Sequence, residues 1–157
     1  MSISKGTDCI GIAICGILHD GQGNVFLNKR SRKCRDEWDR WDNWGGSLKF
    51  GEEFEDCLRR ELKEEASVDP LEIKFGGVAN TLRTHEGEKT HWVCIVYSVL
   101  VDPKQAKNGE PDKFSEVGWF KYGEWPSPLH SCFKIDTGKV IEILKTEYPG
   151  FSISMFP

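Results

Sequence analysis

No stretch of this 157-residue chain is apolar for long enough to cross a membrane; the longest, Ile10 to Leu18, is about half the required length. It follows Lys5 and Asp8 and precedes no small-residue cleavage site, so it does not read as a signal peptide. The six cysteines (Cys9, Cys15, Cys34, Cys57, Cys94 and Cys132) include no CxxC pair and no knuckle spacing, which argues against a zinc module. They lie far apart, most of them in segments that look apolar or structured. That suits free thiols in a reducing compartment better than a disulfide framework, so a cytoplasmic protein is expected. Repeats and low-complexity tracts are also missing, which excludes solenoids and arrays. Basic charge is in deficit, with 21 Lys and Arg against 25 Asp and Glu, a net charge of -4. An extended nucleic-acid surface is therefore not expected.

What is present is a globular profile, 38% hydrophobic and 29% charged. The length suits one domain over residues 1–157, with residues 1–7 expected as a flexible terminus. Cys9 to Leu18 reads as a buried strand, ended by the turn cluster His19-Asp20-Gly21-Gln22-Gly23. Asn24 to Arg30 resumes as a strand, and residues 31–43 read as a loop. Leu71 to Val78, His91 to Val101 and Glu116 to Phe120 are further strands, with Glu86-Gly87-Glu88 a hairpin tip. A helix is predicted from Glu53 to Ala66, with an acidic start and an apolar stripe of Phe54, Leu58 and Leu62. A second is predicted from Gly138 to Glu147, capped by Asp136 or Thr137. This mixture implies an α/β (α+β) sandwich around a mixed sheet.

Chemistry is concentrated between Gly46 and Val68. After Gly46 come five residues, Glu52, seven residues, and then Arg60-Glu61-Leu62-Lys63-Glu64-Glu65-Ala66-Ser67-Val68. On a helix, Glu61, Glu64 and Glu65 fall within about a 100° arc, where like charges repel by a few tenths of a kcal/mol per pair. Glutamate-rich helices are usually solvated faces, and the run alone would carry little. The full spacing is a different matter, since chance produces it on the order of one time in a million. A hard divalent cation bound by carboxylate oxygens would offset the repulsion.

This segment resembles the Nudix box of the Nudix hydrolases: Gly, five residues, Glu, seven residues, Arg-Glu-apolar-any-Glu-Glu-any-Gly-apolar. It departs from the pattern at Ser67, where the family has Gly, and upstream at Trp44, where many relatives have Pro. Ile10–Arg30, Trp41–Gly46 and Glu116-Val117-Gly118-Trp119-Phe120 extend the resemblance. It implies the Nudix α/β/α sandwich with a central mixed sheet. It also implies hydrolysis of a nucleoside diphosphate linked to another moiety, with Mg²⁺ or, in substitution, Mn²⁺. Carried over by position, Gly45, Glu52, Glu61, Glu64, Glu65 and Glu116 are the metal candidates. Glu61, Arg60 and Glu64 are the catalytic candidates, with Glu61 either ligand or base and Arg60 an orienting partner.

Arg30, Trp44 and Phe50 are the substrate-binding candidates. The basic run Lys29, Arg30, Arg32, Lys33 and Arg35 either grips phosphates or is a solvated loop. Trp38, Trp41 and Trp44 either stack a base or pack the interior, and His85 and His91 either touch substrate or are structural. The resemblance leaves several substrates open. A (d)NTP or oxidised (d)NTP, cleaved to the monophosphate and pyrophosphate as in compact MutT-like members, is favoured by the lack of an added N-terminal domain. ADP-ribose or a nucleotide sugar is the alternative. From other classes come a catalytically silent nucleotide-binding module, which intact glutamates disfavour, and an RNA-end hydrolase, which the net charge disfavours. A nucleotide is the expected partner, the chain acting as monomer or homodimer with no membrane contact.

Overall fold

A computed structural model describes residues 2–156. The elements run β1 (Gly11–His19), β2 (Asn24–Arg30), β3 (Trp41–Asp42), β4 (Trp44–Ser47), α1 (Phe54–Ala66), β5 (Glu72–His85), β6 (Glu88–Leu100), β7 (Phe114–Lys121), α2 (Phe133–Gly138) and α3 (Ile141–Glu147), with a 3-10 turn at Ile153–Met155. The strands form one mixed sheet in the order β3-β2-β1-β6-β5, with β4 paired to β1 and β7 to β2. Strand β1 runs parallel to β6, Gly11 opposite Trp92 through His19 opposite Leu100, and the other pairs are antiparallel.

Alternation along β1 explains the layers. Ile14 and Leu18 point to one face, where Leu58, Leu62 and Ala66 of α1 cover them; Ile17 points to the other, under Phe133 of α2, Leu144 of α3 and Val140 between the two helices. The α/β/α sandwich with a central mixed sheet is thus as expected. The first helix differs in its stripe: Phe54 is exposed, and the buried face is Cys57, Leu58, Glu61, Leu62, Glu65 and Ala66. Two glutamates therefore face inward, because residues four apart share a face with the leucines beside them.

Four other elements depart from the sequence reading. The second helix is two, since the chain turns at Lys139–Val140 to bury Val140 completely. Strand β5 runs on to His85 because it pairs along its whole length with β6, through a shift between Phe75 and Gly77. Its hairpin turns at Glu86-Gly87, both with positive φ, as a two-residue loop requires. The loop over 31–43 contains the short β3, whose Trp41 pairs with Lys29. Within the terminal segment, Ser4 to Cys9 form a turn whose Gly6 carbonyl accepts the His91 N–H at 2.8 Å.

Ser67 ends α1 in the left-handed region, φ 55°, and donates its N–H to the Leu62 carbonyl. Replacing it with Gly removes about 1 kcal/mol of strain and loosens the unfolded chain by a smaller amount. Thermal melting of Ser67→Gly should show a rise of no more than about 2–4 °C, with turnover unchanged.

His19 is fully buried between Tyr148 and Phe151, its Nε2 2.9 Å from Ser98 Oγ. Burial lowers its pKa from 6.5 to about 4. The unfolded chain therefore binds the extra proton first, and stability from this group falls as pH drops from 6.5 towards 4, by about 3 kcal/mol in total. Asp136 and Glu65, both raised to about 7, slope the other way. The comparison that isolates His19 is the pH dependence of Tm in wild type and His19→Gln. Between pH 6.5 and 4, the Tm of the variant should shift upward relative to that of wild type as pH falls.

Candidate active site

Strand β4 ends at Ser47 and α1 begins at Phe54, so a short loop returns the chain over its own strand. That return lays Glu61 and Glu65, one turn apart, against Gly45 and Gly46. The Glu61 carboxylate fills the space beside Gly46, where a Cβ would lie 2.4 Å from its Cδ. Gly45 donates its N–H to Glu65 Oε2 at 3.3 Å. Both glutamates are buried.

Two buried carboxylates need compensating charge, and Arg60 and Lys113 supply it. Arg60 meets Glu52 in a fork, Nε to Oε1 at 2.7 Å and Nη2 to Oε2 at 2.9 Å. Its Nη1 reaches Glu61 Oε1 at 2.5 Å and lies 3.7 Å from Glu64 Oε2. Glu52 also accepts the Lys49 N–H at 3.0 Å. The Arg60 hydrogen bonds, with the Lys49 N–H, hold the Glu52 carboxyl down at about 2, and the same contact raises Arg60. Lys113 pairs with Glu65, yet burial still pushes that carboxyl up to about 7, with Glu61 adding to the push.

The donor set is all hard oxygen and suits a divalent cation such as Mg²⁺. As they stand, the carboxylates lie on Arg60 and Lys113. Among the described residues, no three acidic, His or Cys side chains converge as a metal ion would require. Lys113 occupies the place of positive charge at Glu65. Its side chain is two-fifths exposed and has a second partner, Glu110, at 3.5 Å, so it is free to swing away.

Beside this cluster opens a cleft of about 400 Å³, within the range of small-molecule sites. Glu61, Glu65 and Lys113 lie on its wall, as does Arg30. Arg30 is engaged: Nε donates to the Asp36 carbonyl at 3.0 Å and Nη2 to Asp36 Oδ1 at 3.2 Å, and Nη1 lies 3.5 Å from Asp42 Oδ2. Arg83 extends the network, 3.1 Å from both Asp36 and Glu37.

The structure thus brings Gly45, Glu52, Arg60, Glu61, Glu64 and Glu65 together and places Arg30 on the same cleft. Two candidates lie elsewhere, and a third, Trp44, borders the cleft with its indole in the core: it stacks on Phe26 at 5.1 Å and donates its Nε1–H to the Phe26 carbonyl, because its alternation on β4 turns the indole inward. Phe50 sits fully exposed on the box loop and does not line the cleft. Glu116 faces solvent and pairs with Lys29 at 2.7 Å, its cross-strand neighbour on β2. The other two tryptophans also pack: Trp41 against Phe120, and Trp38 with its Nε1–H on the Cys34 carbonyl. His91 bonds Asn80 and is off the cleft. No motif spacing links Lys113, Arg83, Asp36 and Asp136 to the box; only folding brings them to the same cleft.

An α/β/α sandwich in which a glycine-led loop seats inward glutamates beside a cleft defines the Nudix class of domain. The sequence model of the NUDIX domain matches residues 10–141, and the chain belongs to the Nudix hydrolase family. Among solved structures it is similar to a MutT NUDIX hydrolase from Burkholderia pseudomallei, with TM-score 0.72 and 26% identity over 83% of this chain and 97% of that one. It also shares its fold with a MutT protein from Methanosarcina mazei Go1 (TM-score 0.72, 19% identity, 92% and 99% covered). A third likeness is the NUDIX domain of Shewanella oneidensis NrtR in complex with ADP ribose (TM-score 0.69, 21% identity, 87% and 90% covered).

Proposed function

We propose that this chain is a Mg²⁺-dependent pyrophosphohydrolase whose substrate is a (d)NTP or oxidised (d)NTP, cleaved to the monophosphate and pyrophosphate. The observation that carries the reading is the burial of Glu61 and Glu65 side by side on the wall of a nucleotide-sized cleft. Stability alone would not select that arrangement, because each buried carboxylate costs free energy. The likeness at 26% identity to a MutT NUDIX hydrolase supports the hydrolase chemistry, and the likeness to an ADP-ribose-bound NUDIX domain supports a nucleotide in the cleft.

Glu52, Glu61, Glu64, Glu65 and the Gly45 carbonyl are the groups that would hold the ion. When bound, Mg²⁺ neutralises the pyrophosphate and acidifies water. The chain's own residues do the rest. Arg60 fixes Glu52 and Glu61 through charge-assisted bonds, so the carboxylates are positioned before substrate arrives. Glu61, with its carboxylate at the cleft wall, is placed to accept a proton from water. Lys113, which shares the cleft wall, would offer its charge to a substrate phosphate once free of Glu65. Six free cysteines suit a reducing, cytoplasmic compartment.

The test is Mg²⁺-dependent turnover on canonical and oxidised (d)NTPs, ADP-ribose, sugar nucleotides and dinucleoside polyphosphates, with products identified. Pyrophosphate and a monophosphate from one triphosphate support the reading. AMP and ribose phosphate from ADP-ribose would replace the substrate and keep the chemistry. Binding without turnover on any of them would make the chain a silent module.

A further inference from the structure

Helix α1 packs over β4 and β1, and the sheet continues beyond it through β6 to the edge strand β5. Register and alternation set what that outer part of the face carries. Phe75 stands opposite Tyr97, and Val78 opposite Ile95; the shift between Phe75 and Gly77 keeps both β5 residues on the α1 side. Leu82 follows opposite His91, and Ile12 of β1 stands opposite Val93. Ile10 lies two residues before Ile12. Phe75, Val78, Leu82, Ile10 and Ile12 are between 40% and 70% exposed, whereas Ile14, one step further along β1 and under α1, is 1% exposed.

With about 200 Å² in a fully exposed large side chain, five exposed to this degree give on the order of 500 Å² of apolar surface. The largest patch on a monomer is about 300–600 Å² and is often a binding surface. The polar residues within the patch, Asn80 and His91, already bond each other at 2.7 Å. Among the described residues, no Lys, Arg, Asp or Glu occupies this face between Ile73 and Leu82 on β5 or between His91 and Val99 on β6. The chain as a whole is 29% charged, so an uncharged area three strands wide differs from the rest of its surface.

We propose that this face is the interface of a homodimer, in which two copies pack their β5–β6 surfaces together across a two-fold axis. A two-fold axis sets a patch against itself, so a charged patch would meet like charge, while an uncharged apolar one is its own complement. An acidic or basic partner would find no opposite charge here. Two open sheet faces pack at about 10 Å with their side chains interdigitating. The five apolar side chains, with the backbone and polar rim around them, bring the face towards the about 800 Å² per partner of a standard interface. The cleft stays open in such a dimer, because Thr81 and Arg83, which line it, flank Leu82 and point to the opposite face. The dimer therefore stands whatever the cleft hydrolyses.

The experiment is sedimentation velocity on the full chain up to about 100 µM, well above the micromolar limit of a standard-size interface. Wild type should reach twice the 17.9 kDa of one chain. Val78→Lys and Leu82→Lys should each raise the dissociation constant about 100-fold or more, the scale of like charges set against each other in an interface. Both side chains are already about half exposed or more, so the fold should hold, and circular dichroism melting checks that it does. Ile135→Lys, at an exposed residue of α2 away from this face, should leave the dimer unchanged. A wild type that stays monomeric over the whole range overturns the proposal, as does a dimer that survives both β5 variants. If the monomer instead binds phosphatidylcholine vesicles and Leu82→Lys does not, the face is a lipid surface and the homodimer is wrong.

Discussion

Glu65→Gln should lower kcat by about 100- to 1000-fold, the scale of removing one group that stabilises developing charge, while the protein stays folded. The side chain keeps its shape and its bond from the Gly45 N–H, so the β4–α1 packing has no cavity to close. Two electrostatic changes oppose each other. Burial already raises this carboxyl to about 7, so a neutral amide relieves a desolvation cost; Lys113 loses its partner but is exposed enough to turn to Glu110. The melting temperature should therefore move little. Turnover with Mg²⁺ and thermal melting check both halves. Near wild-type turnover would remove Glu65 from the machinery, and an unfolded variant would show that its role is structural.

Gly45→Ala and Gly46→Ala should separate the fold from the site, although the residues are neighbours. Gly45 has φ 139°, and a Cβ there would lie 1.9 Å from the Ile14 carbonyl oxygen. Backbone cannot move aside without breaking the β1–β4 pairing, in which Cys15 faces Gly45. Strain and clash together give a loss of about 3 kcal/mol or more, visible in urea denaturation as a lower midpoint. At Gly46 the conflicting group is the Glu61 carboxylate, a side-chain end that can rotate away. Gly46→Ala should fold nearly as well as wild type and lose most of its turnover, because Glu61 is displaced. Equal stabilities for the two variants would contradict this division.

Much of this was legible in the sequence because its signals are local. The period of α1, the acidic residues of its first turn and the strand from Asn24 to Arg30 depend on neighbours within a few residues, and the structure has them nearly where they were expected. The box spacing likewise carries its own geometry. Four residues on a helix bring Glu61 and Glu65 to one face, and seven between Glu52 and Arg60 bring their side chains into a bidentate pair. The departures fall where the environment decides. That Trp44 borders the cleft yet keeps its indole in the core depends on Phe26 and Phe114, far off in sequence. Glu116 is held by the strand beside it, not by the helix it was expected to join. The second helix breaks because Val140 has a core to enter.

By itself, the sequence determined the sandwich class, the first helix, the four glutamates and the arginine that orders them, since all rest on short-range periodicity and fixed spacing. Tertiary structure alone decided that Lys113 sits on Glu65, that Arg30 and Arg83 share the carboxylates of one network, and that Asn43 and Asp136 face one cleft. These meetings depend on strand order and on which faces the layers cover. Desolvation, which sets the charge state of Glu65, Asp136 and His19, arises only when the layers close.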